Sequence, residues 1–158
     1  MDAIDLLKAD HKKVKGLLTE LAGTTTRAVK KRAELLEQIR VNLKAHTQIE
    51  EEIFYPAFKK AGEKEEARMY YEAMEEHRAA GDLVLPDLLN TAADSEQFGG
   101  RAKVLKELVE HHVKEEEQEM FKDAKKLLSK EELKELGQRL EQRKSELVKQ
   151  LGSSRTKA

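Results

Sequence analysis

His46-Thr47-Gln48-Ile49-Glu50-Glu51-Glu52-Ile53-Phe54-Tyr55 reads closely like His112-Val113-Lys114-Glu115-Glu116-Glu117-Gln118-Glu119-Met120-Phe121. Both stretches begin with histidine, place glutamate four residues later and end on an aromatic ring. They lie 66 residues apart, and the same 66 residues separate His11 from His77. One offset therefore relates two halves of the chain, each offering a lone histidine followed by His-x-x-x-Glu. An internal repeat reports on architecture before any single residue does. This one predicts two helical hairpins in an approximate twofold arrangement.

The surrounding sequence agrees. Asp2 is placed to cap a first helix over 3–22, which Gly23 and three threonines end. A second helix is predicted over 27–60 and a third over 63–89, with Pro86 bending or ending its last turn. Residues 90–100 read as a loop with a helical start after Ser95, and a fourth helix covers 101–128. Ser129-Lys130-Glu131-Glu132 is a capping box that opens a fifth helix reaching Leu151. No strand-like alternation of any length interrupts this pattern. The expected fold is all-α: an antiparallel up-down four-helix bundle with an additional C-terminal helix. Residues 1–128 form the metal-binding bundle in this reading, 129–151 a helix packed on it, and 152–158 a flexible tail. The fifth helix carries Leu133, Leu136, Leu140, Leu147 and Leu151 as a narrow stripe suited to packing.

Composition bounds the chemistry. The 158 residues suit one domain. Charged residues make up 39% of the chain, with only 8 Gly and 2 Pro, as in long solvated helices. The 30 basic and 31 acidic residues nearly cancel, which argues against an electrostatic nucleic-acid binder. With no cysteine, thiolate zinc sites, iron–sulfur clusters and cysteine nucleophiles are excluded. No apolar run approaches the roughly 20 residues of a membrane span, and the N-terminus lacks a signal peptide's basic and apolar regions. A cytoplasmic protein without membrane or nucleic-acid partners is expected. Its oligomeric state is open.

Helical wheels then sort the polar residues. On the second helix His46 and Glu50 fall inside the stripe of Leu35, Ile39, Leu43, Ile53 and Ala57, while Glu51 and Glu52 rotate outward. On the fourth, His112 and Glu116 lie near the centre of the face defined by Leu105, Val109, Met120, Ala124 and Leu127, and His111 and Glu115 point away. His77 is central among Ala73, Ala80, Val84 and Leu88. His11 flanks the face of Ile4, Leu7, Val14 and Leu18. A single histidine on such a face is ordinarily a core residue bonded to a backbone carbonyl, and an acidic run is ordinarily a solvated surface. Two carboxylates and four imidazoles in one core are different. A buried, unpaired carboxylate costs several kcal/mol, and no Lys or Arg occupies the centre of these seams. Cations resolve the conflict. Four imidazole nitrogens and two bridging carboxylates give each of two ions about four donors, with positions left open. Nitrogen and oxygen donors without thiolate suit Fe, Mn, Zn or Cu.

At these residues the sequence resembles the hemerythrin-like, or HHE cation-binding, family: His, then His-x-x-x-Glu, then His, then His-x-x-x-Glu on successive helices. The resemblance covers most of 1–128. It implies a four-helix bundle around two non-haem Fe ions, bridged by carboxylates and an oxo, hydroxo or water oxygen. By resemblance His11, His46, His77 and His112 are terminal ligands, and Glu50 and Glu116 the bridges. Oxygen-carrying members add a histidine four residues after the third-helix ligand and end on His-x-x-x-x-Asp. Here those positions hold Gly81 and Glu117. One iron thus loses a histidine, which favours ligand exchange or redox chemistry over simple oxygen transport. Tyr70 and Tyr71 are expected to pack with their phenols at the rim of that gap.

Three functions remain from sequence. The first is a protein that binds or senses a small ligand such as oxygen, nitric oxide or peroxide at the di-iron site. The second is a di-iron oxidoreductase, for example one removing peroxide in the manner of a catalase. The third is a helical bundle with non-catalytic metal that uses its fifth helix to bind a partner.

Overall fold

The computed structural model describes residues 1–156. Helix α1 is Ala3–Ala22, and Asp2 caps it by accepting the Asp5 N–H at 2.9 Å. Helix α2 (29–61) runs through Val29–Ile49, a π-helical turn at Glu50–Phe54, and Tyr55–Ala61. Helix α3 (64–89) likewise joins Lys64–His77, a π segment at Arg78–Val84, and Leu85–Leu89. Helix α4 (96–127) joins Glu96–Glu115, a π turn at Glu116–Met120, and Phe121–Leu127. Helix α5 is Lys130–Thr156. The first four form the antiparallel bundle and α5 adds a fifth helix.

Several boundaries differ from the sequence reading, each for a local reason. Helix α4 starts five residues before Arg101 because Ser95 accepts the Phe98 N–H at 3.1 Å and caps it there. Pro86 does not end its helix, and Pro56 likewise lies within one, as the predicted 27–60 span requires. Each stands in the first turn of the α segment that follows a π segment, where a missing N–H is tolerated. The capping box at α5 is as expected: Glu132 N–H bonds Ser129 Oγ at 3.0 Å and Ser129 N–H bonds Glu132 Oε1 at 3.1 Å. Beyond Leu151, where a tail was expected, the backbone stays helical to Thr156; Lys157 and Ala158 lie outside the described residues.

The π segments also shift part of the apolar face, although Ile53, Leu88, Met120 and Ala124 stay buried as the wheels place them. Tyr55, Leu85 and Leu128 are buried, whereas Ala57 and Val84 are half-buried and Leu127 is exposed. An α-wheel drawn straight through these helices therefore misplaces some of the residues that follow Glu50, Arg78 and Glu116.

Two hydrophobic clusters fill the bundle. One joins Ile4, Leu7, Ile49, Phe54 and Phe58 to the α5 leucines Leu133, Leu136, Leu140 and Leu147. The other joins Val14, Leu18, Leu35, Ile39, Leu105 and Val109. Each buried leucine contributes about 1.5–3 kcal/mol, so the α5 stripe is a substantial part of the core. Helix α5 is further fixed by Arg143 on Glu52 at 2.8 Å and by Arg40 on the Leu151 carbonyl at 2.8 Å. At the far end, buried Arg32 ties the two loops together, donating to Ala93 O at 2.7 Å and Thr24 O at 3.2 Å while lying over the Phe98 ring. The histidines fall at the seam between the clusters, as in α1, where His11 stands between Leu7 and Val14.

Candidate metal centre

His11, His46, Glu50, His77, His112 and Glu116 converge, all buried. They form two groups that share both glutamates. In the first, one ligand atom from each of His11, His46, Glu50 and Glu116 lies within 4.8 Å of the others. In the second, Glu50, His77, His112 and Glu116 meet the same limit. The twofold relation read from the 66-residue offset holds in space. The His11 and His46 ring centroids are 4.8 Å apart at 70°, and those of His77 and His112 are 4.7 Å apart at 64°.

A second layer obeys the same offset. His46 Nδ1 is 2.8 Å from Asp10 and His112 Nδ1 is 2.7 Å from Glu76. His77 Nδ1 is 2.8 Å from Glu51 and His11 Nδ1 is 2.6 Å from Glu117. Asp10 and Glu76 are 66 residues apart, as are Glu51 and Glu117. Each carboxylate is placed to accept the Nδ1 proton, which leaves Nε2 as the ring atom turned inward, as in metal-binding histidines. The wheels had turned Glu51 outward. It is half-buried, and the π turn that begins at Glu50 brings it against His77 of the neighbouring helix. Its mate Glu117 does the same for His11.

Tyr55 is the main residue the sequence reading missed. Its hydroxyl occupies the second group, 3.0 Å from His77 Nε2, 3.3 Å from His112 Nε2, 3.3 Å from Glu50 Oε1 and 2.5 Å from Glu116 Oε2. In an uninterrupted α-helix a residue five beyond Glu50 would lie well round the helix. The π turn closes the Tyr55 N–H onto the Glu50 carbonyl and aligns the two side chains. Tyr70 packs edge-on against Tyr55 and Tyr71 is exposed, so both stay at the rim. A Cβ added at Gly81 would meet nothing within 4 Å, and Tyr55 approaches the second group instead.

The electrostatics follow from burial. Desolvation works against a charged His46, but Glu50 and Asp10 beside it raise its pKa to about 10. Burial opposes ionisation of Glu50 as well, yet His46 and its hydrogen bonds hold it well below the usual carboxylate range. Burial pushes Tyr55 up, and the Glu116 and Glu50 charges push it further. Outside the core, burial together with Glu76 and Glu72 raises Glu115 to about 8. His111 pairs with Glu115 at 3.1 Å on the surface, away from the centre as the wheels require.

The donor set fits a metal on one further observation. His11 Nε2, His46 Nε2, Glu50 Oε2 and Glu116 Oε1 are buried without a hydrogen-bond partner among the described residues. His11 Nε2 does approach Glu116 Oε1 to 3.0 Å, and His46 Nε2 approaches Glu50 Oε1 to 3.1 Å. These are close contacts in distance without hydrogen-bond direction. All four orphaned atoms belong to the residues of the first group, and buried polar atoms are rarely left so without an ion or water to satisfy them.

Comparison with known proteins points the same way. The family model described as "Hemerythrin HHE cation binding domain" matches residues 2–124. Over 159 aligned positions the chain is 30% identical to a Nostoc sp. protein described as a DNA nickase, covering 100% of this chain and 43% of that protein. It thus spans less than half the length of that relative. Uncharacterized proteins of Mycobacterium tuberculosis and Mycobacterium bovis are 28% identical over 148 residues, with 93% of this chain and 88% of theirs covered. A crystal structure of a hemerythrin HHE cation binding domain-containing protein from Mycobacterium kansasii superposes with a TM-score of 0.82 at 26% identity, covering 95% of this chain and 89% of that one.

Proposed function

The chain belongs to the hemerythrin HHE cation-binding family, and on that premise we propose that it is a non-haem di-iron protein that binds or senses a small ligand. The four orphaned donor atoms of the first group carry this reading, because a cation is what their geometry accommodates. His11 and His46 would hold one ion, His77 and His112 the other, and Glu50 and Glu116 would bridge them. Tyr55 is placed to act as a further donor at the second. Two iron ions would supply redox change and open positions for oxygen, nitric oxide or peroxide.

The chain's own residues do the rest. Asp10, Glu51, Glu76 and Glu117 keep the protons on Nδ1, and the two central glutamates offset part of the ionic charge. A small cleft of about 30 Å³ lined by Glu72, Glu76, Glu115 and Glu119 reaches His112 and Glu116. A second, small cavity of about 20 Å³ places Val14, Leu43, Ala80 and Val109 beside the histidines, walls that suit an apolar diatomic molecule.

The nickase named in the Nostoc relative belongs to a protein more than twice as long. With 30 basic against 31 acidic residues, the present chain favours a small-molecule partner over a nucleic acid. The open cleft at His112 also supports a second reading, a di-iron oxidoreductase that removes peroxide. Anaerobic ferrous loading followed by metal analysis tests the centre: two irons per chain are expected, and well under one overturns it. Stopped-flow spectra with oxygen, nitric oxide and peroxide then separate binding from turnover.

A further inference from the structure

We propose that Lys144, on α5, is a positioning residue of the metal centre that makes the ion held by His11 and His46 the more easily reduced of the two. The inference deepens the di-iron reading above and rests on it. Lys144 Nζ bonds Asp10 Oδ1, and the other oxygen of Asp10 accepts the His46 Nδ1 proton at 2.8 Å. Asp10 is 5% exposed, so this is an ammonium–carboxylate–imidazole chain running from the fifth helix to the first ion position.

The twofold relation supplies the control. Glu76 stands to His112 as Asp10 stands to His46, with a nearly identical 2.7 Å hydrogen bond. Its surroundings are the reverse. Glu76 Oε2 is 3.5 Å from His111, an exposed imidazole already shared with Glu115, and Glu72 adds a third carboxylate to the cluster. The two outer carboxylates make the same bond, but among the described residues a fixed positive charge offsets only Asp10.

A carboxylate on Nδ1–H pushes electron density into the ring, strengthens the Nε2 donor and favours the higher oxidation state of the ion it holds. An ammonium on the same carboxylate draws that density back. Lys144 therefore biases the first position toward the reduced ion. The bias is built in, because Arg143, Arg40 and the contact of Gly137 with the N-terminal backbone each fix the register of α5. This helix lies beyond the 2–124 family match, so its role at the metal is specific to chains that carry it.

The test is a mediated reductive titration of the iron-loaded full chain, comparing wild type with Lys144→Gln and Lys144→Arg. Lys144→Gln should lower the midpoint of the first one-electron step, with the ferrous-to-ferric ratio at fixed poise falling about tenfold, or about 59 mV. The second step should stay in place, and Lys144→Arg should retain both wild-type midpoints. Lys144→Met, which keeps the apolar stem, replaces the glutamine variant if that one loses helix content. Unmoved midpoints, equal lowering of both steps, or failure of arginine to preserve them overturns the inference. A wild-type chain that takes up no iron overturns the di-iron reading and this inference with it; a loaded chain with midpoints insensitive to Lys144→Gln overturns this inference alone.

Discussion

Tyr55 and Phe121 are twofold counterparts, 66 residues apart, each closing a π turn on the glutamate five residues before it and each lying against a histidine of another helix. The Tyr55 and His77 ring centroids are 5.2 Å apart, and those of Phe121 and His11 are 5.7 Å apart. The hydroxyl is the difference. It lies among the donors of the second group, while four atoms of the first group remain orphaned.

Tyr55→Phe makes the two halves alike and strips partners from Glu116, His77 and His112. The metal-free variant should lose about 1–3 kcal/mol of stability, the cost of leaving buried polar groups unpaired. Urea unfolding of the metal-free protein measures it. A variant as stable as wild type would mean that the hydroxyl is not satisfying those groups.

Glu50→Ala or Glu116→Ala should abolish loading of both ions, because each glutamate belongs to both groups. His111→Ala and Glu115→Ala should leave the stoichiometry unchanged, since both side chains face the rim. Metal content per chain distinguishes them, and loss of metal in His111→Ala would place the centre elsewhere on α4.

Gly137→Ala tests the seat of α5. A Cβ there would lie 2.5 Å from the Met1 carbonyl oxygen and 2.8 Å from the Asp2 carbonyl carbon, both backbone atoms that cannot swing aside. Overpacking of this kind costs about 1–3 kcal/mol. Gly81→Ala meets open space in a helix and should be neutral or stabilising by up to about 1 kcal/mol. Thermal midpoints of the two variants should therefore move apart.

The metal-free protein should be most stable between about pH 4.5 and 6.5. Despite burial, His46 is raised to about 10 from 6.5 by Glu50 and Asp10. His77 and His112 are raised too. The His46 contribution is full below 6.5 and is lost as pH climbs toward 10, and those of His77 and His112 are likewise lost as pH rises through their raised values. Glu50 and Asp10 are held below their ordinary 4.5 and 3.8 despite burial, so theirs is present above those values and lost as pH falls through the lowered ones. Ions need the unprotonated Nε2, so metal binding should release protons and strengthen as pH rises. Denaturation midpoints of the metal-free protein that keep increasing from pH 6.5 to 10 would contradict these assignments.

The 66-residue offset and two His-x-x-x-Glu motifs sufficed to place six buried residues on the correct helices, and Ser129 and Glu132 marked the start of α5. Such signals are local: a cap is written within four residues, and an α-helical face within a few turns. Glu51, Glu117 and Tyr55 escaped because the wheels assumed 3.6 residues per turn where the backbone adopts π turns. No residue preference in 50–54 or 116–120 announces them.

The repeat, the charge balance and the absence of cysteine thus determined by themselves a helical bundle with a nitrogen-and-oxygen centre. Tertiary structure alone decided how its two halves differ. Tyr55 in place of Phe121, and Lys144 on Asp10 with no counterpart at Glu76 among the described residues, acquire meaning only when helices distant in sequence are brought within hydrogen-bond reach, because charge and hydrogen bonding act through space and the pattern along the chain records only which face a residue occupies.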